Sequence, residues 1–214
     1  PKLPFTVILG GAKVSDKISV IDNLKQKANT FVIGGGMAAT FIYALGYKTG
    51  KSPIETDYLK FAKDLILESQ DTDFEMILPK DVIVSEKFSI DSPFRTTLID
   101  DVAENEMILD IGPQTSVLFA ETINESKTLL WNGPMGVFEF EQYSNGTKKI
   151  ANKLSQLKTA ITIVGGGSTA EIIRTLNLRE KVTHVSTGGG ATLEFLGGEI
   201  LPGISSLYQK DKAT

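Results

Sequence analysis

The stretch ITIVGGGSTAEII, residues 161–173, decides the fold. Its first four residues are apolar or β-branched and read as a short buried strand. Three glycines follow, and each of them weakens regular structure. Ile172, Ile173 and Leu176 then mark one face of a helix. A strand that passes through glycines into a helix is a βα unit.

The same order recurs along the chain. Short apolar runs at 5–9, 30–33, 75–78, 107–110, 128–131, 161–164 and 182–186 read as strands buried on both faces. Amphipathic stretches separate them: Ile18, Ile21, Leu24 and Ala28 mark one helix, Phe61, Leu65 and Ile66 another, and Ile150, Leu154 and Leu157 a third. The alternation predicts an α/β fold of three layers, αβα, with a parallel sheet between helices on both faces. Residues 82–87, just after Pro79, are expected to pair with a neighbour as an antiparallel hairpin. The tail YQKDKAT is polar and expected to be loose unless something packs on it.

With 214 residues, 41% of them hydrophobic and 22% charged, the chain can bury a sizeable core. A net charge of −4 makes no global field for nucleic acid, although a local basic patch still suits phosphate. There are no cysteines, which excludes disulfides, thiol catalysis and Cys-based zinc sites and fits a reducing cytoplasm. Neither a membrane span nor a signal peptide is expected. The opening PKLPF lacks a Met and sets two prolines before a strand. Residues 1–4 therefore read as an interdomain hinge in a larger protein, with processing as an open alternative.

In an open α/β sheet, ligands bind outside the carboxyl ends of the strands. Four of those ends carry glycines: Gly10 and Gly11, Gly34 to Gly36, Gly165 to Gly167, and Gly188 to Gly190. Each is followed by a helix whose first turn offers unpaired N–H groups and a positive dipole end. Together they predict a polyphosphate cradle. Tight packing explains any one cluster, but does not demand the same device four times at one edge. Lys13 and Lys17, four residues apart, can both point to that edge; the alternative is a solvated pair.

Two features are set aside. GYKTGKS, residues 46–52, is one residue short of a Walker A loop and follows a helix. No glycine fingerprint with a downstream ribose-binding acid supports a nicotinamide site. The one histidine, His184, sits in a strand pattern as a packed or edge residue.

LLWNGPMGVFEFE, residues 129–141, ends a strand in a loop that holds Asn132, Pro134 and Glu139. Such a loop can offer an amide to phosphate, an apolar wall to a base and a carboxylate to ribose. With ILGGAKVSDKI, FVIGGGMAATF, LDIGP, IVGGGSTAEI and VSTGGGATLEFLGGEILPGI, this segment resembles the C-terminal, nucleotide-binding domain of phosphoglycerate kinases, in the family's order and over nearly the whole chain. The resemblance implies a Rossmann-like domain at 5–200 with six parallel strands, binding ADP or ATP with Mg²⁺. It also implies a hinge at 1–4 and a C-terminal segment, 201–214, returning toward a separate N-terminal domain that binds 3-phosphoglycerate. The complete enzyme, a cytoplasmic monomer of glycolysis, would move a phosphoryl group between 1,3-bisphosphoglycerate and ADP.

By the same resemblance, Lys13 stabilises the phosphoryl group in transit, while Lys17 and Asn132 meet nucleotide phosphates. Pro134, Gly34, Gly35, Leu109 and Val137 frame the base and sugar, Gly11 belongs to the nucleotide-binding set, and Glu139 binds the ribose hydroxyls. The amides of Gly166, Gly167 and Thr169, with Gly188, Gly189 and Gly190, face the phosphates and the transition state. Phosphoryl transfer needs positioning and charge neutralisation, which lysines and fixed amides supply.

Two departures stand out. Ser168 occupies the position where the family usually has an Asp that helps to hold Mg²⁺. Serine can cap the following helix but offers no anionic oxygen to a hard cation. The family's N-terminal half, with its basic patch and arginine, has no counterpart here, so this chain alone is expected to bind nucleotide without turnover. The alternatives are a stand-alone nucleotide-binding module and a structural domain with a vestigial site; the lysines, Asn132 and Glu139 speak against the last.

Overall fold

The computed structural model describes residues 1–208. Nine strands and eight α-helices alternate through them. The main sheet holds β3 (Glu75–Ile77), β2 (Thr30–Ile33), β1 (Phe5–Leu9), β7 (Thr128–Asn132), β8 (Ile161–Gly165) and β9 (His184–Val185), in that order. Every neighbouring pair is parallel. From β1 the chain winds outward to β2 and β3; from β7 it winds the other way to β8 and β9. The order therefore reverses between β1 and β7, the switch point at which open sheets leave a crevice.

The strands at that centre are all apolar, or nearly so, because both faces are covered. FTVIL of β1 and TLLWN of β7 are buried at every position. Alternation sends Val7, Leu9, Phe31, Ile33 and Leu130 to one side. There they meet α1 (Ile18–Leu24), α2 (Ala38–Ala44) and α3 (Leu59–Asp71). Ile8, Val32, Leu129 and Trp131 face the other side, against α4 (Pro113–Asn124), α5 (Asn145–Ser155) and α6 (Gly167–Thr175). Each fully buried large aliphatic or aromatic side chain adds roughly 1.5–3 kcal/mol by leaving water. The three-layer αβα sandwich is thus fixed by period 2 in the strands and period 3.6 in the helices.

A second, smaller sheet corrects part of the sequence reading. Residues 107–110 are not in the parallel sheet: β6 (Met107–Ile111) pairs antiparallel with β4 (Asp81–Ser85). On its other edge β4 pairs antiparallel with β5 (Phe94–Leu98), which no apolar run announced. The hairpin expected at 82–87 is therefore the centre of three strands. β9 is only two residues long, against the five expected at 182–186. It is the edge strand, and His184 there is exposed.

Before β1, Lys2 exchanges two hydrogen bonds with Thr128 Oγ1 at the start of β7. After β9 come α7 (Gly190–Leu196), packed on α1, and α8 (Pro202–Tyr208). Residues 209–214, which include most of the polar tail, lie outside the described residues.

Candidate functional site

At the switch point lies an open groove of about 330 Å³. Its walls come from the turn after β1 (Gly11, Lys13, Asp16, Lys17), the end of β7 (Asn132, Pro134), the start of α6 (Gly166 to Thr169) and the start of α7 (Gly189, Gly190). Segments more than 170 residues apart in sequence meet because the winding reverses between two adjacent strands.

Lys13 is exposed on the rim, whereas Lys17 is 7% exposed and forms part of the floor. The Lys17 ammonium donates to Asn132 Oδ1. Burial pushes the Lys17 pKa below the usual lysine range, opposed by the nearby carboxylate of Asp16. Asn132, itself 2% exposed, donates from Nδ2 to the carbonyl of Gly165 at 2.9 Å. It thus joins the ends of β1, β7 and β8, and its second Nδ2 hydrogen has no acceptor among the described residues.

The four glycine openings are not equivalent. Gly10 N donates to Asn132 O at 2.9 Å, Gly11 N to Pro134 O at 2.8 Å, Gly34 N to Leu9 O at 2.9 Å and Gly35 N to Met135 O at 3.0 Å. Those amides are consumed by the strand ends and the 132–135 loop, so Gly10, Gly11, Gly34 and Gly35 have none to offer the expected cradle, whereas the exposed Gly36 finds no acceptor for its amide among the described residues. At the other two, Gly166, Gly167, Ser168, Gly189 and Gly190 find no acceptor for their amides among the described residues. Gly166 has φ of 92°, which turns β8 sharply into α6 and leaves this row of donors facing the groove. Gly188 is bonded to Ser186 Oγ at 3.3 Å and does not line the groove.

The loop that follows β7 is pinned at several points. Gly133 N donates to Thr169 Oγ1 at 2.7 Å, Met135 N to Thr147 Oγ1 at 2.9 Å and Trp131 Nε1 to Gly133 O at 2.8 Å. The buried Thr169 hydroxyl thus holds the start of this loop. Gly34 and Gly35 lie beneath this loop, where a Cβ would meet Met135 Sδ at 2.5 Å and Gly11 N at 2.5 Å. Leu109 and Val137 are joined by Val137 N donating to Leu109 O at 2.8 Å, and line neither groove. Glu139 is exposed in an adjoining groove that shares Pro134, Gly167 and Ser168 with the first.

A model of the phosphoglycerate kinase family matches residues 1–199. The chain belongs to the phosphoglycerate kinase family. Phosphoglycerate kinase of Dictyoglomus turgidum is 48% identical over 210 residues, 98% of this chain and 53% of that protein. The phosphoglycerate kinase of Finegoldia magna is 51% identical over 210 residues, with shares of 98% and 53%. Among solved structures, phosphoglycerate kinase from Coxiella burnetii matches with a TM-score of 0.93 at 41% identity, covering 98% of this chain and 54% of that one. The enzyme from Pyrococcus horikoshii matches at 0.86 and 29%, covering 100% and 54%. The chain spans about half the length of the curated relatives it matches.

Within this phosphoglycerate kinase fold, Ser168 is exposed in the first turn of α6. Contrary to the expectation from sequence, Ser168 does not cap the helix: the N-cap position is Gly166, and no side chain closes that end. Among the described residues no group of three or more acidic or histidine side chains could hold a metal by itself. A divalent cation brought by a nucleotide would rest on phosphate oxygens and water.

Sequence reasoning missed Glu55, whose carboxylate accepts from Val14 N, Ser15 N and Ser15 Oγ. Burial raises its pKa, but the Ser15 and Val14 bonds and the Lys13 charge outweigh this and hold it below the usual range. No local signal could reveal a partner 41 residues away. A larger cavity of about 530 Å³ lies beside β4 and β5. Its one arginine, Arg95, is already held by Glu106 at 2.7 and 2.9 Å.

Proposed function

We propose that this chain is the nucleotide-binding half of a phosphoglycerate kinase. ADP or ATP, carrying Mg²⁺, lays its phosphates over the free amides of α6 and α7, against Lys17 and Asn132. The ribose and base extend past Pro134 toward Glu139. Lys13, exposed on the rim, meets the phosphoryl group as it passes between the β-phosphate oxygen of ADP and the carboxylate oxygen of 3-phosphoglycerate. The complete enzyme is a cytoplasmic, glycolytic monomer in which residues 5–200 form the nucleotide domain, residues 1–4 the hinge, and the segment opening with 201–208 leads back to the other half.

The observation that carries this reading is the row of unpaired amides at α6, facing a buried ammonium in a groove at the switch point. That arrangement stabilises negative charge, and among the described residues it includes no group of three or more acidic or histidine side chains for a metal. Phosphoryl transfer asks for little else from the protein. The acyl phosphate needs a second domain to close over it and exclude water. The chain by itself is therefore inactive.

Calorimetric titration of the chain with ADP, with and without Mg²⁺, tests the first part: saturable binding is expected, and its absence overturns it. A coupled assay with 3-phosphoglycerate and ATP tests the second, where any turnover above background overturns the claim of inactivity.

A further inference from the structure

The 13–17 segment carries both lysines of the groove, yet it is a short 3₁₀ turn, Ser15–Lys17, running straight into α1. Such a start leaves amides without intrahelical acceptors, and no side chain of the segment itself caps it. Glu55 fills that gap from the chain between α2 and α3. Its Oε2 accepts from Val14 N and from Ser15 N, the latter at 3.2 Å, and its Oε1 accepts from Ser15 Oγ at 2.6 Å. Glu55 is fixed in turn: its own N–H donates at 3.1 Å to Thr40 Oγ1, a hydroxyl buried in α2.

A continuous polar chain therefore runs from α2 through Thr40 and Glu55 to the backbone from which both lysine stems begin. Val14, between them, is fully buried and cannot slide without disturbing the core. Glu55 does not line the groove and touches none of its free amides.

We propose that Glu55 is a positioning residue for the lysine pair: by holding Val14 and Ser15, it aims Lys13 and Lys17 at the phosphate-binding groove. The inference rests on the nucleotide reading above. A cap that served stability alone would have the same hydrogen bonds, so the test must separate phosphate recognition from folding.

ADP and adenosine are titrated into the 214-residue chain and two variants, with thermal melting as the check on folding. The unaltered chain is expected to prefer ADP over adenosine by at least about tenfold. Equal affinities would overturn the nucleotide reading, and this inference with it. Glu55→Ala is expected to weaken ADP about tenfold while changing adenosine less than about twofold. Glu55→Gln keeps an oxygen toward the two amides and is expected to stay within about threefold of the unaltered chain for both ligands. If ADP preference stands but Glu55→Ala leaves ADP affinity unchanged, or weakens both ligands alike, Glu55 is a structural cap and the inference is lost. Should Glu55→Ala melt out, Thr40→Val loosens the same chain from within a buried helix. A loss of about threefold confined to ADP is then expected, and no loss would overturn the inference.

Discussion

Lys17 and Asn132 share a hydrogen bond across the switch point, with the ammonium of Lys17 donating to Oδ1 of Asn132. The first lies just past β1 and the second ends β7, so the bond ties together the two strands between which the winding reverses. It holds a positive charge at the base of the groove while burial works against that charge. On the proposed function, a phosphate placed there would meet an ammonium that water solvates poorly.

Replacing Lys17 by Met keeps the length of the stem and removes the charge. ADP affinity is expected to fall about 10- to 100-fold, the range for losing a hydrogen bond to a charged group. Stability changes little, because relief of a buried charge offsets the unpaired Asn132 oxygen. The melting temperature is expected to move by less than about 4 °C, roughly 1 kcal/mol for a chain of this size. A large melting shift with intact ADP affinity would mean that the pair is structural.

Ser168→Asp restores a carboxylate beside the free amides of α6. The N-terminal dipole there favours the new charge by about 0.3–1 kcal/mol. Mg²⁺-dependent binding should gain more: the ratio of Mg·ADP to ADP affinity is expected to rise severalfold, read by titration with and without the metal. An unchanged ratio rules out Ser168 as a weak point in metal binding.

Asp110, 2% exposed on β6, accepts from Ile111 N at 2.9 Å and, from the start of α5, Gly146 N at 2.8 Å. Burial raises its pKa from 3.8 to about 7, and the two backbone bonds only partly oppose this. A raised folded pKa means that the folded state holds the proton more tightly than the unfolded one. The resulting stability is full below about pH 4 and is lost as pH rises through about 7. The whole span amounts to roughly 4 kcal/mol. Asp110→Asn removes this dependence, so the melting temperature of the variant is expected to fall less than that of the unaltered chain between pH 5 and pH 8. Parallel melting curves across that range would count against the assignment.

The centre of the sheet was legible because β1, β2, β7 and β8 are short apolar runs that admit one reading, strands covered on both faces. Met107–Ile111 has the same look, and its placement in the wrong sheet shows that a hydrophobic run does not name its partner strand. Phe94–Leu98 has one buried residue in five and carries no pattern at all. In the groove, glycines marked where the backbone bends but not which amides remain free. That depends on carbonyls of Asn132, Pro134 and Met135, far away in the chain, which take the donors of Gly10, Gly11 and Gly35. The Glu55 carboxylate was invisible for the same reason.

Strand β7 is flanked by a neighbour on each side and covered by helices above and below, and Asn132 is its last residue. The base of the crevice therefore belongs to the least deformable part of the molecule. Any adjustment to a ligand would fall to the periphery, the exposed chain around Glu139 and the α7 turn. Amide hydrogens of β1 and β7 will be among the slowest to exchange with solvent, bound or free, while occupancy registers only at the margins.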